Sequence, residues 1–273
     1  MGFIRRWLSR VGGVCMALPL SAPLLAAQDV RVAAVYFPPY VFKAEQVGAQ
    51  SPGLLRELLT ALNHAQADYR FVMVPTAIKR RFADFEQGRL DLAIFENPNW
   101  GWQQIQHVAL DMRLEDSEVF VARAEQGRDQ GYFDTLNGKR LALYHGYNYA
   151  FAEFNPDPDY LSKTFNATLN HSHDSSLLMV LRKRADIALV TRSYLGDFLE
   201  RNRQYAGQLL ISERMDQRYR HHVLLRPGAP IEPEQFMAIF ESLRDNGQLL
   251  KIFSRYQIRV LPRAGQVELS TEL

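Results

Sequence analysis

Cysteine is almost absent from this chain of 273 residues, which has a single one at position 15. Cys15 lies in an apolar stretch near the start and follows Val14, whereas a lipoprotein processing site requires a small residue there. If that stretch is removed, the remaining chain has no thiol at all. Disulfides, thiolate metal sites and a cysteine nucleophile are then excluded.

An excess of charge of either sign is missing as well. The sequence has 32 Lys and Arg against 30 Asp and Glu, a formal net charge of +2, and Arg5, Arg6 and Arg10 fall in the first ten residues. Without those three arginines the net charge is about −1, far from the basic surface that nucleic-acid binding requires. We therefore expect no nucleic-acid partner.

Long hydrophobic runs are confined to the start of the chain. Residues 1–27 have a basic beginning, an apolar centre and the small residues Ala26 and Ala27 at the end, which is the layout of a secretory signal peptide. The alternative, a membrane anchor, needs about 18 or more apolar residues, and here glycines and prolines interrupt the run. We expect export across the inner membrane to the periplasm, with cleavage near Ala27.

Short strand-like runs alternate with helical patterns along the rest of the chain, which predicts parallel sheets covered by helices. The first series has strands at 30–36, 71–75 and 91–95 and helices at 54–62 and 78–85; the second has strands at 139–144, 186–190 and 221–226, a helix at 175–182 and closing helices at 233–258. The two series predict two lobes, with chain crossings near 119–123 and 214–222 as a hinge. Lobe 1 takes residues 28–118 plus 220–262, lobe 2 takes 123–213, and 263–273 is a loose tail.

Aromatic and polar residues follow four of the predicted strands. Ligands of open α/β sheets bind beyond the carboxyl ends of the strands, and a small-molecule cleft needs apolar walls with a few polar groups. The four segments are Tyr36–Tyr40, Glu96–Trp102, His145–Tyr149 and Thr191–Tyr194. We expect them to line one ligand cleft.

The order of these segments resembles the extracellular solute-binding proteins of family 3, the amino-acid-binding components of bacterial ABC transporters. The matching stretches are VRVAAVYFPPYVF, PGLLRELLTAL, FADFEQGRLDLAIF, LNGKRLALYHGYN, LLMVLRKRADIALV and FMAIFESLRDNGQLLKIFSRYQI. The resemblance covers nearly all of the chain after residue 27. It implies an α/β, two-lobed periplasmic-binding-protein-like fold of type II, each lobe a mainly parallel sheet flanked by helices, with the ligand cleft at the hinge.

Two positions depart from the amino-acid-binding pattern of that family. The arginine that holds the ligand carboxylate usually lies twelve residues after the aspartate equivalent to Asp91, where this chain has Gln103. The aspartate that holds the ammonium usually lies five residues after the one equivalent to Asp186, where this chain has Thr191. Neither residue replaces a charged partner. A standard free L-amino acid is therefore not the expected ligand.

Ten residues of the strand-end segments and of the basic run at 79–81 are candidate ligand contacts. They are Tyr36, Tyr40, Arg80, Glu96, Asn97, Trp100, Trp102, Tyr147, Asn148 and Thr191. Arg80 takes an arginine position found in some relatives, whereas we interpret Lys79 and Arg81 as solvated. Both tryptophans have an alternative role as packing under the turn, with the indole N–H bonded to the backbone.

Two histidine groups invite comparison with metal sites. They are His171 with His173, and His221 with His222, but the sequence shows no further converging ligands. We interpret Asp174 or Ser175 as the cap of the next helix instead. The chain also has no nucleophile elbow, zinc-protease motif or phosphate loop. We expect no metal, no cofactor and no enzymatic activity.

The expected function is capture of a small polar or aromatic-bearing solute by lobe closure, with delivery to an ABC transporter permease in the inner membrane. We expect the protein to act as a monomer. Two alternatives stay open: a ligand sensor that signals to a membrane receptor, and an exported enzyme on the same fold, similar to a dehydratase.

Overall fold

A computed structural model describes residues 26–42 and 53–263. The predicted signal peptide, apart from its last two residues, and the predicted tail, apart from Arg263, lie outside these ranges. Within them, every helix is too short or too polar to span a bilayer.

The first part of the chain forms parallel strands covered by two helices. Its elements are β1 (Gln28–Val35), α1 (Leu54–Ala65), β2 (Tyr69–Thr76), α2 (Arg80–Glu86), β3 (Leu92–Glu96) and β4 (Val108–Arg123). Strand β1 pairs in parallel with β2 and with β3. Helix α1 forms because leucines recur at helical spacing, and Leu54, Leu58 and Leu62 are completely buried.

The second part repeats this arrangement, and the chain then returns to the first. The elements are β5 (Leu141–Tyr144), α3 (Pro158–Phe165), β6 (Ala167–Asn170), α4 (His173–Leu181), β7 (Ile187–Thr191), α5 (Arg192–Arg201), β8 (Leu209–Leu225), α6 (Pro233–Asp245), α7 (Gln248–Phe253) and β9 (Arg259–Val260). Within the ranges that the structure describes, short 3-10 helices lie at Gln130–Phe133, Ala150–Ala152, Arg203–Tyr205 and Ser254–Tyr256. Strand β5 pairs in parallel with β6 and with β7.

The strands join into one curled sheet in the order β2-β1-β3-β8-β4-β7-β5-β6, with β9 paired to β4. The hydrophobic core nevertheless has separate parts. One cluster takes buried residues from 30–114 and 223–258, while two others take residues from 119–198. These parts correspond to the two predicted lobes, although the exact lobe boundaries stay a prediction.

Two long antiparallel strands, β4 and β8, connect the lobes. They are paired from Val108 and Leu225 at one end to Arg123 and Leu209 at the other, with register shifts that include one between Glu118 and Val119. Only short chain crossings were predicted in place of these two strands, and only residues 221–226 were predicted to be a strand. That prediction was too short, because polar side chains interrupt the apolar alternation of both strands.

Other elements also differ from the predictions. The segment after β7, predicted as a loop, is helix α5, and Thr191 caps it by accepting a hydrogen bond from the Tyr194 N–H. Helix α4 is capped by Ser172, which accepts from the Ser175 N–H, and not by Asp174 or Ser175. Helix α3 and strand β6 were not predicted, although Asp157 and Pro158 are a typical helix start.

Candidate functional site

A cavity enclosed largely by aromatic rings lies between the two lobes, above strands β4 and β8. Its volume is about 110 Å³. Lobe 1 contributes the segment after β1, the start of α2 and the turn after β3, while lobe 2 contributes the segment after β5. Strand β8 contributes Tyr219 and His221. The cavity is therefore at the carboxyl ends of parallel strands, where α/β folds bind their ligands.

Aromatic rings from both lobes meet across this cavity. The rings of Phe37 and Tyr147 are stacked, with centroids 5.4 Å apart and planes 11° from parallel. Trp100 lies with its ring centroid 6.0 Å from that of Tyr147 and 5.0 Å from that of Tyr219. Phe37 and Trp100 belong to lobe 1, whereas Tyr147 belongs to lobe 2. The lobes are thus in direct contact through rings that also line the cavity.

A buried ion pair, which we call the wall pair, stands on the lobe 1 side. Arg81 Nε lies 2.7 Å from Glu96 Oε1, and the two side chains are only 8% and 12% exposed. The Arg81 Nε–H is not aligned with a hydrogen-bond acceptor, and the hydrogen bond of the pair is the long one that Arg81 Nη2 donates to Glu96 Oε2 at 3.4 Å. The indole N–H of Trp102 donates to the other carboxylate oxygen, Glu96 Oε2, at 2.9 Å.

The backbone before Glu96 is irregular and directs three consecutive residues toward the cavity, namely Ile94, Phe95 and Glu96. Phe95 has a positive φ of 64°, and the pairing of β3 with β8 shifts register between Ile94 and Glu96. A regular strand alternates its side chains between two faces. With the irregularity at Phe95, all three residues line the cavity. A bulge of this kind re-aims a side chain, here the carboxylate of the wall pair.

Beneath the cavity, strand β4 carries two buried acidic residues, Asp116 and Glu118, which we call the floor carboxyls. Asp116 accepts hydrogen bonds from the Tyr40 and Ser193 hydroxyls, both at 2.6 Å, and from the Ser117 N–H at 2.7 Å. Burial raises the pKa of Asp116, while the bonds from Ser193 and Tyr40 act to lower it. Burial also raises the pKa of Glu118 well above its ordinary value.

The Tyr40 hydroxyl connects Asp116 to a histidine of β8. Its oxygen lies 2.9 Å from His221 Nε2. Because the hydroxyl proton is used toward Asp116, His221 donates its Nε2–H to the Tyr40 oxygen, which fixes its tautomer. Burial lowers the pKa of His221 to about 3, so this histidine is neutral near neutral pH.

The structure brings five of the ten predicted contacts onto the cavity surface: Tyr40, Glu96, Trp100, Tyr147 and Asn148. The other five lie elsewhere. Asn97 shapes the turn after β3, where its side-chain oxygen accepts from the Asn99 N–H at 3.0 Å. Thr191 is completely buried as the cap of α5. Tyr36 is not among the cavity-lining residues.

The predictions for Arg80 and Arg81 were the reverse of what the structure shows. Arg80 was expected at the cavity and Arg81 in solvent. The side chain of Arg80 is 66% exposed and pairs with Asp84, whereas Arg81 is buried and lines the cavity. Helical spacing explains the difference. Arg81 follows Ile78 by three residues and precedes Phe85 by four, so it shares their inward face.

Trp102 lies behind the cavity wall and not on it. It is fully buried, with its ring centroid 4.8 Å from that of Phe82 and 5.1 Å from that of Phe85. This position matches the alternative of packing under the turn, but the indole N–H bonds to the Glu96 carboxylate rather than to the backbone. Of the two tryptophans, Trp100 lines the cavity, and its contact with a ligand stays a prediction.

Several cavity residues were missed by sequence reasoning. They include Phe37, Arg81, Tyr144, Tyr219 and His221. Tyr219 and His221 alternate with outward residues along β8, and extending that strand toward its start would have identified them. The two positions at which the amino-acid-binding pattern is broken also lie off the cavity: Gln103 is exposed and donates to the Asn99 carbonyl, and Thr191 is buried.

The histidines considered as metal ligands lie apart from one another. The His171 ring lies 4.8 Å from that of His145 and is tilted by 36° to it, while His173 is buried between Phe37, Tyr144 and Tyr194. In the part of the chain that the structure describes, no three His, Cys, Asp or Glu side chains converge as metal ligands would.

Comparison with known proteins was informative only at the level of structure. Neither a protein-family model nor a curated protein sequence matches this chain. An ancestral arginine-binding protein bound to arginine aligns with a TM-score of 0.61 at 16% identity, over 84% of this chain and 97% of that one. The probable amino-acid ABC transporter extracellular-binding protein of Bacillus subtilis aligns with a TM-score of 0.63 at 14% identity, over 84% and 98%.

A third solved structure is the ancestral amino-acid-binding protein AncCDT-1, a precursor of cyclohexadienyl dehydratase. It aligns with a TM-score of 0.59 at 14% identity, over 84% of this chain and 94% of that one. At such identities the common feature is the fold, and it extends over almost the full length of each relative. The chain therefore has the α/β, two-lobed periplasmic-binding-protein-like fold that the sequence analysis predicted.

Proposed function

We propose that this chain is a periplasmic solute-binding protein that captures a small polar or aromatic-bearing solute by lobe closure. In this proposal it delivers the solute to an ABC transporter permease in the inner membrane and acts as a monomer. The observation that carries the proposal is the cavity between the lobes, whose aromatic walls come from both of them. A solute held there contacts both lobes at once, so its binding energy favours the closed form.

The shape of the site supports a small solute. Stacked rings offer apolar and π surface, and the wall pair, the Tyr40 hydroxyl and Asn148 offer a few fixed polar groups. This combination is typical of small-molecule pockets. The cationic side chain that lines the cavity, Arg81, is already paired with Glu96, which supports a solute other than a standard free L-amino acid.

Small-angle X-ray scattering with and without a metabolite library tests this proposal. A compound that binds is expected to reduce the radius of gyration, because it holds the lobes together. The variant Tyr147→Ala removes the lobe 2 ring that stacks on Phe37, and we expect it to lose the compaction. Tyr205→Ala, on lobe 2 but away from the cavity, is the matched control. If no compound both binds and compacts the protein, capture by closure is wrong.

An exported enzyme similar to a dehydratase is the second candidate. One observation favours it: the hydrogen-bonded chain of Asp116, Tyr40 and His221 reaches the cavity surface. The lowered pKa of His221 makes it a weak base, which argues against proton abstraction by this residue. Recovery of a bound compound unchanged after long incubation is the expected result for a binding protein, and its conversion would establish the enzyme instead.

A further inference from the structure

The register of β4 and β8 places the floor carboxyls on the cavity face of the sheet. Asp116 is opposite Tyr219 and Glu118 is opposite Gln217, and directly opposed residues of antiparallel strands project to the same face. Since Tyr219 lines the cavity, Asp116 and Glu118 project toward it too. They lie just beneath the rings that form its surface.

Each floor carboxyl is covered by a tyrosine from a different lobe. Tyr40 of lobe 1 donates to Asp116, and the Tyr147 hydroxyl of lobe 2, which donates to the Tyr219 oxygen at 3.4 Å, is close enough to Glu118 to act to lower the pKa of that carboxyl. Glu118 is only 1% exposed, and its Oε1 has no hydrogen-bond partner. Among the described residues, neither floor carboxyl forms an ion pair. Only neutral groups face these carboxyls, so burial favours the protonated form of each until a cation comes close enough to stabilise the ionised form.

The surface above the floor carboxyls is also attractive to cations. The faces of aromatic rings carry negative charge density, and a cation over such a face is stabilised by about 0.5–2 kcal/mol. Phe37, Trp100, Tyr147 and Tyr219 present four such rings to the cavity. The cationic side chain that lines this cavity is Arg81, which is already neutralised by Glu96.

From this arrangement we infer that the cavity floor binds the ammonium group of a small organic cation that carries no carboxylate. The inference rests on the proposed function and specifies the class of its solute. A carboxylate on the ligand finds no free cation among the described residues that line the cavity, and it lies close to Asp116 and Glu118. An ammonium group instead lies over the rings of Tyr147 and Tyr219, within Coulomb range of both floor carboxyls.

Four probes that share one ring but differ in charge test the inference: phenethylamine, 2-phenylethanol, 3-phenylpropionate and L-phenylalanine. Isothermal titration calorimetry of the full chain near neutral pH compares them directly. We expect phenethylamine to bind at least about tenfold more tightly than the other three. Tighter binding of the alcohol, the anion or the zwitterion overturns the inference, and so does a lack of binding by all four.

Two variants test whether the floor carboxyls cause the preference for phenethylamine. Glu118→Gln removes one floor carboxyl while keeping its shape, and we expect it to weaken phenethylamine binding about tenfold while leaving 2-phenylethanol unchanged within about twofold. Tyr147→Phe removes only the hydroxyl over Glu118 and is expected to weaken the amine less. Glu213→Gln makes the same charge change at an exposed position of β8 and is the control. Equal weakening in Glu118→Gln and Glu213→Gln, or none in Glu118→Gln, overturns the role of the floor. Circular dichroism melting confirms that each variant is folded.

The experiments distinguish a failure of the inferred cationic solute from a failure of the proposed function. If a neutral or anionic metabolite compacts the protein in the scattering experiment, solute capture stands and the inference of a cationic solute is wrong. If no metabolite compacts it, the proposed function itself is wrong.

Discussion

The wall pair and the floor carboxyls border the same cavity, yet their charges are neutralised in different ways. On the wall, the Glu96 carboxylate faces a guanidinium at 2.7 Å. On the floor, Asp116 and Glu118 face only hydroxyls and one backbone N–H. A self-neutralised pair fixes the shape of the wall, whereas burial favours the protonated form of carboxyls that have no cation, and a bound cation favours their ionisation. The wall should therefore respond to mutation mainly in stability, and the floor mainly in ligand and proton binding.

Breaking the wall pair should have the largest effect on stability. Arg81→Ala leaves the buried Glu96 without its cation, and losing one partner of a buried pair typically lowers the free energy of unfolding by about 3–5 kcal/mol. Urea unfolding measures it. The neighbouring Arg80→Ala is the control, because that side chain is mostly exposed and its pair with Asp84 contributes under about 1 kcal/mol. Equal losses in both variants would contradict the assignment of Arg81 to the wall.

A smaller change in the wall is expected from Trp102→Phe. This substitution removes the shorter of the two hydrogen bonds to Glu96 Oε2 and leaves only that from Arg81 Nη2, and losing a hydrogen bond to a charged group lowers the free energy of unfolding by about 1.5–3 kcal/mol. Trp100→Phe should lower it by less than about 1 kcal/mol, because Trp100 is only partly buried. The same unfolding experiment ranks them, and a reversed order would place Trp100 rather than Trp102 in the core.

The floor should appear in the pH dependence of stability. The folded-state pKa of Glu118 is raised above its ordinary value of 4.5, so the folded protein holds a proton there that the unfolded chain releases. That contribution is fully present below about pH 4.5 and is lost as the pH rises through the folded-state pKa. Relative to Glu118→Gln, the wild type should therefore lose up to about 1.4 kcal/mol per pH unit in this window.

Other titrating groups make the comparison with a variant necessary. His173 and His221 are buried, and burial lowers the pKa of each to about 3, so they destabilise the fold as the pH falls below about 6.5. This trend is opposite in sign to that of Glu118. Because both histidines are present in the wild type and in Glu118→Gln, their contribution cancels when the free energies of unfolding of the two proteins are subtracted at each pH. Unfolding curves at several pH values provide the data. A flat difference for Glu118→Gln, like the one expected for Glu213→Gln, would mean that Glu118 is ionised in the folded protein.

The smallest effect is expected from placing an arginine at Gln103, where relatives have the arginine that holds the ligand carboxylate. Calorimetric titration of the twenty standard amino acids should show no submicromolar binding, because the cation that lines the cavity, Arg81, is already paired with Glu96 and offers a ligand carboxylate no free charge. Gln103→Arg should not restore it, because Gln103 is exposed and away from the cavity. Submicromolar binding in the wild type would show that the wall pair supplies the missing charges.

Much of the fold could be predicted because the buried strands are apolar along their whole length. Leu92–Glu96, Leu141–Tyr144 and Ile187–Thr191 were recognised to within two residues. Strand β4 was not, because Asp116 and Glu118 interrupt its pattern with charges. Those same charges form the cavity floor. Sequence patterning thus failed at the position where the site requires polar residues in a buried strand.

The candidate site was less predictable than the fold, for geometric reasons. The segments after β1, β3 and β5 do meet at one cavity, as topology suggests. Which residue of a segment faces inward depends on local backbone, such as the positive φ of Phe95 or the first turn of α2 that turns Arg81 inward. The contribution of β8 depends on its register with β4, and no local pattern near Tyr219 encodes that pairing.

The two tryptophans after β3 also have a spectroscopic consequence. Within the described residues, Trp100 and Trp102 are the only indoles. Trp102 is sealed in the lobe 1 core and should emit the same fluorescence whether the lobes are open or closed. Trp100 touches Tyr147 of the other lobe and Tyr219 of the hinge strand, so separation of the lobes exposes its indole to water. The molecule therefore carries an intrinsic optical reporter of its own closure, with a constant internal reference two residues away.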